Sequence, residues 1–571
     1  MNNNPESSFS SKNKINKAIH AFSYWQMIFF IIFLIGVFVS GFLILDKINE
    51  RYLIERPLAG GKIEEGVIGS PRFINPVLAN SNTDKDLTTI VFSGLMKKGS
   101  SGRMQTDLAE SYEISEDNLT YTFKIKNNAI FHDDTKVTSE DVVYTITQIK
   151  DGKLKSPYQS VWQSVSVKKI DEHTVQFKLN SPYSGFIENT SIGILPSHIW
   201  KELDTDDFTF SDRNLYAVGS GPYKITKIQK KKNGLIESIT LKSFKHYSGP
   251  KAFINKIKFV FYKNENDLIK DFKKNNVDQI NAISGEQAKI LETNGEIITN
   301  VNLSRVFGIF FNANKQEIFR NKNIAKAIDL SIDKENIVNT VLGGYGQSIN
   351  SPIPTKMYSG TEESSDSLNK EEANSILNKE GWIMQDDGFR KKSGEILRFS
   401  ISTGDAPELQ KAVELIKEDL KEVGILVEIK VFEIGNLNQS VIRPRDYESL
   451  FFGQIISNES DLFAFWHSSQ RNDPGLNIAS YTNSKVDGLL EKILSSKNEE
   501  DKNKYFKDLD AEIKKDQPAI FIYSPDFIYL TDQKVKNIKI DKITIPSERL
   551  TNINDWYMRT EKVWDFLNKQ N

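Results

Sequence analysis

The sequence predicts a mixed α/β body behind a single membrane-spanning helix, and three observations carry that reading. One is the run from Trp25 to Leu45, 21 residues without a charge; at about 1.5 Å per residue, a helix of that length crosses roughly 30 Å of hydrocarbon. The second is a strand, helix, strand pattern from Ile396 to Glu433, a unit that builds parallel sheet through a right-handed crossover. The third is a set of antiparallel signals elsewhere, of which Asn233-Gly234 between two strand-like runs is the clearest.

The apolar run takes its orientation from its flanks. Before it, Lys12, Lys14 and Lys17 outweigh Glu6 for a net +2; after it, Asp46, Lys47, Glu50, Arg51, Glu55 and Arg56 cancel. The positive-inside rule then places the N-terminus in the cytoplasm and everything after Leu45 outside. No small-x-small cleavage site follows the run directly, which favours an uncleaved signal anchor over a cleaved signal peptide. The expected organisation is a cytoplasmic tail over 1–24, the anchor over 25–45 and a stalk over 46–60.

Beyond Gly61 strand and helix signals intermingle. Thr138 with Asp141 opens a helix whose apolar stripe is Val142, Val143, Ile146 and Ile149, and Asp333 opens another that ends at Gly343-Gly344. In the Ile396–Glu433 unit, Leu397, Phe399 and Ile401 alternate. Asp405 and Glu408 predict a capped helix carrying Leu409, Val413, Ile416 and Leu420 on one face. Gly424 ends it, and Val427, Ile429 and Val431 make the second strand.

Composition narrows the function classes. At roughly 150 residues per domain, a chain of 571 residues makes three or four packed units, and 39% hydrophobic with 26% charged residues is a globular profile. Lys plus Arg (74) against Asp plus Glu (76) leaves −2, without the basic field that nucleic-acid binding uses. There is no cysteine, and the six histidines are scattered singly, so no thiolate chemistry, no metal-ligand motif and no cofactor are expected. No nucleophile with a base and no carboxylate pair stands out, which argues against an enzyme. The string His132-Asp133-Asp134 lies at a hairpin-to-helix corner, and Gly219-Ser220-Gly221 lacks the dinucleotide-binding spacing.

Several stretches, in order, resemble one family. GVIGSPRFINPVLANSNTDKDLTTIVFSGLMK looks like its opening strand, proline-bearing loop and helix, and LAESYEISEDNLTYTFKIKNNAIFHDDTKVTSEDVVYTI is similar to its twisted hairpin and following helix, with Asp134 where glycine is usual. VGSGPYKI, FFNANKQEIFRNKNIAKAIDLSIDKENIV, FWHSSQ, GLNIASYTNSKVDGLLEK and IFIYSPDFIYL follow. Together they resemble the family 5 extracellular solute-binding proteins, the peptide- and nickel-binding components of ABC importers. The resemblance implies a two-lobed, periplasmic-binding-protein-like α/β fold of type II. Lobe I spans 61–302 with an inserted subdomain over about 106–217, lobe II spans 303–517, and 518–571 returns to lobe I. The chain then crosses near Asn302 and near Pro518, and two crossings make a hinge that closes on a ligand. The implied partners are a peptide or similar small solute, an ABC permease and the membrane through Trp25 to Leu45. A membrane-anchored sensor or interaction protein that kept the fold is the alternative.

An interlobe cleft needs aromatic walls and a few placed polar groups. Ser70, after the first strand, offers a hydroxyl and backbone donors. Trp162 serves either the cleft or the core, Trp being commonly buried. In the peptide-binding relatives an aspartate after an equivalent of the strand ending at Gly453 pairs with the ligand's amino terminus; here that position is Ser457. Asn458, Glu459 and Asp461 are the near substitutes, Asp461 being the preferred receptor for a cationic ligand and equally a cap for the helix behind it. Trp466 on that helix is the remaining candidate, and nickel has no ligand set.

Overall fold

A computed structural model of the chain describes residues 23–99, 102–180, 185–294, 298–354, 357, 368–473, 475–496, 498–540 and 543–564. The tail with Lys12, Lys14 and Lys17, on which the orientation rests, lies outside the described residues. The chain divides into two compact units, one of 1–58 with 559–571 and one of 59–558.

In the smaller unit Tyr24–Tyr52 form one helix of 29 residues. Its apolar side chains point outward on all sides, with Phe29, Phe38 and Phe42 each at least 70% exposed, so the helix buries no face of its own. The stretch Tyr24–Lys47, with mean hydropathy 3.0, is long and apolar enough to cross a membrane; a signal sequence meets the same description. The expected stalk is structured. The helix runs on to Tyr52, and Leu53–Leu58 then pairs antiparallel with Arg559–Trp564, from Leu53 opposite Trp564 to Leu58 opposite Arg559. Arg56 Nε meets Glu561 Oε1 at 2.6 Å, and the rings of Tyr52 and Trp564 stack at 6.4 Å. The C-terminal segment assigned by sequence to lobe I therefore leaves the larger unit after Met558.

The larger unit is built on a twelve-stranded sheet. Ten of its strands run, in order, Leu426–Phe432, Arg398–Gly404, Ser449–Ile455, Arg305–Phe311, Ala519–Thr531, Gln279–Asn281, Lys62–Ile68, Lys256–Tyr262, Ile236–Ser243 and Tyr223–Lys230, and the other two, Ile298–Asn302 and Gly346–Ser348, pair with Ala519–Thr531 off that path. The expected strand, helix, strand unit is present: Arg398–Gly404 and Leu426–Phe432 are parallel, and Pro407–Glu422 crosses between them with Ala412, Val413, Ile416 and Leu420 buried. Its start differs from the expectation. Ala406 is the cap residue and Pro407 holds the first helical position, where its missing N–H goes unneeded. Gly424, at φ +80°, ends the helix ahead of Leu426–Phe432. The hairpin at Asn233-Gly234 also forms, with Gly234 at φ +83°.

A separate four-stranded antiparallel sheet pairs Ala109–Ile114, Thr120–Ile125, Thr174–Lys178 and Ser166–Lys169 in that order. The helix Ser139–Lys150 lies between them in sequence, opened by the predicted Thr138–Asp141 capping box. Asp134, in the corner before it, has φ +68°, a left-handed conformation that glycine adopts freely and aspartate tolerates, which explains the glycine usual there.

Two large cores divide the sheet. One draws on Ile63 through Leu303 and resumes at Phe527; another draws on Ile309 through Phe451 with Ile520, Ile522 and Tyr523. The chain passes between them at Leu303–Arg305 and again inside the long strand at Ser524–Asp526, beyond the expected Pro518. The two passages touch: Leu303 N–H donates to the Pro525 carbonyl at 3.0 Å, and Ser524 Oγ donates to the Leu303 carbonyl at 2.9 Å.

Candidate functional site

A cavity of about 320 Å³ lies in the larger unit. Its walls come from distant parts of the chain. The helix Asn82–Val91 supplies Lys85, Thr88 and Thr89; the short helix Phe186–Asn189 supplies Glu188; the turn Pro546–Leu550 supplies Ser547 and Glu548; and Ser457 and Asn458 close it from the segment after Ser449–Ile455. Phe92, Tyr158, Val161 and Trp162 add apolar wall.

Local chemistry fixes the two main walls. Ser81 and Asp84 form a reciprocal capping box at the start of Asn82–Val91, satisfying two orphan N–H groups and setting the entry angle of that helix. On its inner face Asp86 receives the guanidinium of Arg549 in a fork, Nη1 to Oδ1 at 2.8 Å and Nη2 to Oδ2 at 2.7 Å. The same guanidinium bonds Glu65 on the strand Lys62–Ile68 and, at 2.8 Å, the carbonyl of Pro546. Arg549, Asp86 and Glu65 are all almost completely buried. Planar fork geometry of this kind fixes position as well as charge. It locks the Pro546–Leu550 turn onto Asn82–Val91, and the two carry Glu548 and Lys85 to the cavity.

The charges of the cavity are unevenly matched. Lys98 Nζ binds Glu548 Oε2 at 3.0 Å, and Glu459, next to Asn458, is held by Lys502 at 3.1 Å. Glu188 has no cation in ion-pair contact among the described residues, and its side-chain neighbour is Asn458 Nδ2 at 3.5 Å. Burial pushes its carboxyl up, with Lys98 pulling the other way. Lys85 likewise has no ion pair among the described residues, and burial followed by the nearby Arg305 charge pushes its ammonium down. Neither Glu188 nor Lys85 stood out in the sequence. Glu188 is a lone charge in its stretch of sequence and Lys85 sits between Asp84 and Asp86, and only folding shows that neither has an ion-pair contact among the described residues.

The residues singled out from sequence separate. Ser457 and Asn458 line the cavity, and so does Trp162, although the Trp162 ring is also packed against Phe177 and Phe186 at 5.7 and 5.6 Å and is 2% exposed. Asn458 caps the helix Glu459–Trp466. Asp461 completes that cap: its Oδ2 accepts the backbone N–H of Ser457 at 2.6 Å and of Asn458 at 3.2 Å, and it is not part of the cavity lining. The cap expected from sequence is therefore formed. Trp466 is fully buried among Phe310, Tyr481 and Phe521, away from the lining, and Ser70 is exposed on the loop after Gly69.

His132 is structural. Gly219 N–H donates to its Nδ1 at 3.3 Å, so Nε2 carries the proton and donates to the Gly221 carbonyl at 3.0 Å. Burial holds this neutral ring down to about 4. Among the described residues no group of three His, Asp or Glu side chains is arranged to hold a metal ion. What the site offers is a partly open, partly apolar space lined by charged and polar groups, which suits capture of a small molecule.

A family model described as bacterial extracellular solute-binding proteins, family 5 middle, matches residues 103–474. The chain is 26% identical over 514 residues to the oligopeptide-binding protein AppA of Bacillus subtilis strain 168, covering 88% of this chain and 92% of that protein. It is 24% identical to the nickel-binding protein NikA of Staphylococcus aureus, over 81% of this chain and 89% of that one. Among solved structures, Bacillus subtilis AppA in complex with a nonapeptide superposes with a TM-score of 0.70 at 24% identity, over 88% of this chain and all of that one.

Proposed function

The chain belongs to the bacterial extracellular solute-binding proteins of family 5, which are binding proteins and not enzymes, and from that premise we propose that it is the membrane-anchored binding component of an ABC importer. In this reading it captures a peptide or similar small solute outside the cytoplasmic membrane and presents it to a permease. Lobe I is 61–302 with the subdomain over about 106–217, rejoined by the chain after Ser524–Asp526, and lobe II is the stretch between the two passages. The helix Tyr24–Tyr52 serves as a single-pass anchor, with the larger unit on the extracytoplasmic side.

One observation carries the reading: the cavity takes its walls from both sides of the double passage, Lys85 and Glu188 from one and Ser457 and Asn458 from the other. A site of that construction is filled and emptied by hinge motion, and a ligand shifts an open and closed equilibrium already present. Trp162, Ser457 and Asn458 are the proposed contacts together with Glu188; Ser70, Asp461 and Trp466 are assigned none.

Native mass spectrometry of the detergent-solubilised full chain should reveal a co-purified small molecule. Thermal stabilisation by that molecule should grow with the logarithm of its concentration above Kd. A chain that holds no solute and is stabilised by none from a broad peptide collection would refute capture. Protease added outside intact cells should digest the body and spare the tail; release of the body by signal peptidase would remove the anchor and leave capture standing.

A further inference from the structure

We propose that a lysine-rich face of the large sheet rests on anionic phospholipid headgroups of the membrane in which the chain is anchored. The inference rests on the anchor reading above and adds a second, electrostatic contact, made by lobe I.

Strand register brings the lysines together. Lys62 stands opposite Lys256, Lys256 opposite Lys242 and Lys242 opposite Lys224, a row across four neighbouring strands whose side chains share one face. Further along the same face, Lys258 and Lys227 both lie opposite Thr240. The other face is core, with Ile63, Leu241, Ile257 and Phe259 buried. Like charges directly opposite one another weaken a sheet, so such a row calls for an anion. The chain provides little. Glu64 is shared between Lys62 and Lys258, Lys224 lies over the Phe244 ring at 5.7 Å, and Lys227, Lys242 and Lys256 have no ion pair among the described residues. Asp278, Asp271 and Glu237 are engaged by the Glu64 N–H at 2.7 Å, the Tyr262 hydroxyl at 3.0 Å and the Gln229 amide at 2.8 Å. Lysine commonly protects a sheet edge from pairing, which accounts for Lys224 and Lys227 on the edge strand Tyr223–Lys230 and not for the lysines on the three strands inside it.

Position and shape fit a membrane surface. The helix Glu265–Phe272 packs Leu268 and Ile269 with Ile68, Val260 and Tyr262 over the far half of this face, and on the near half Lys62, Lys227 and Lys242 are exposed. The row also marks where the chain enters and leaves the larger unit: Gly60 N–H donates to the Phe253 carbonyl at 2.8 Å, and Met558 packs against Gly61. Residues 46–52 at about 1.5 Å each and Leu53–Leu58 at about 3.3 Å each amount to roughly 30 Å of chain after the apolar run, a tether short enough to keep the lysines at high effective concentration beside a bilayer. Every lysine of this face belongs to lobe I, which makes lobe I the stationary half and lobe II the half that swings.

The test places the full chain in lipid nanodiscs, either of phosphatidylcholine alone or with an equal part of phosphatidylglycerol, and follows acylation of each lysine by mass spectrometry. Lys62, Lys227, Lys242 and Lys256 should react about threefold more slowly in the anionic discs, and about 0.5 M salt should restore their rates. Lys411 and Lys421, exposed on the helix Pro407–Glu422, should react alike in both. Lys242→Glu with Lys256→Glu should abolish the slowing at Lys62 and Lys227, whereas Lys411→Glu with Lys421→Glu, the control for charge and folding, should keep it. Equal rates at Lys62 and Lys242 in the two discs, or slowing that salt leaves untouched, would overturn the proposal and leave the anchor standing. Slowing by soluble polyphosphate in neutral discs, with none from phosphatidylglycerol, would give the face to a soluble polyanion instead. A chain that enters neither disc would overturn the anchor reading and the proposal with it.

Discussion

Asp461 Oδ2 accepts the backbone N–H of Ser457 at 2.6 Å, and through that bond a helix cap holds one wall of the cavity. Ser457 and Asn458 reach the cavity because Asp461 and Asn458 satisfy each other's orphan groups at the start of Glu459–Trp466. Replacing Asp461 by Ala should lower stability by about 1–2 kcal/mol, the usual worth of a capping side chain. The informative readout is ligand affinity. Loosening the cap should weaken neutral and cationic ligands by the same factor, as titration calorimetry would show; a loss confined to cationic ligands would make Asp461 a charge receptor instead.

Arg549 is the strongest single tie behind the other wall. Arg549→Met leaves Glu65 and Asp86 buried without their partner, a defect worth about 3–5 kcal/mol. The denaturant midpoint should fall accordingly. The triple variant Glu65→Gln, Asp86→Asn, Arg549→Met should recover part of the loss, because its remaining buried groups are neutral. A single variant as stable as the parent would mean that the fork between Arg549 and Asp86 carries no net stability.

His132 makes the corner near Gly219 and Gly221 sensitive to acid. Its ring is depressed to about 4 in the folded chain against an ordinary value of 6.5, so the unfolded chain binds more protons between those values. Stability therefore rises with pH across that window: it is fully present above about 6.5 and is lost as pH falls toward 4, by on the order of 3 kcal/mol. Glu188 and Asp461 act oppositely, since burial raises their carboxyls and protonation relieves them. The clean measurement is the difference between parent and His132→Gln stability over pH 4 to 7. A flat difference would dismiss the idea.

What could be read without the structure follows from how local each signal is. The Asn233-Gly234 turn, the Thr138–Asp141 box, the cap at Asp333 and the strand, helix, strand pattern around Pro407–Glu422 are set by neighbours in sequence and appear in the fold. At that helix Asp405 was the nearer polar residue, but Pro407 fixed the start one residue later, because its ring belongs at the first helical position. The pairing of Leu53–Leu58 with Arg559–Trp564 joins the two ends of the chain, and no local pattern announces it. Ser457 and Asn458 were singled out through a family resemblance, and both line the cavity. Glu188 and Lys85 could not be found that way: which charges lack an ion-pair contact is known only after folding.

The passages at Leu303–Arg305 and Ser524–Asp526 lead to the last expectation. They lie side by side, with Leu303 N–H on the Pro525 carbonyl and Asn302 Nδ2 on Ser524 Oγ at 3.1 Å, so rotation of one lobe must bend both at one place. Hinges absorb motion in a few residues at element ends, and these bonds resist that motion. Ser524→Ala removes the hydroxyl bonds to Leu303 and Asn302 without touching the cavity, and it should ease closure. Small-angle scattering of the full chain should show compaction with a random tetrapeptide pool, and the variant should reach the compact form at lower peptide concentration. A pool that stabilises the chain thermally yet leaves its radius of gyration unchanged, in parent and variant alike, would show that capture here proceeds without hinge closure.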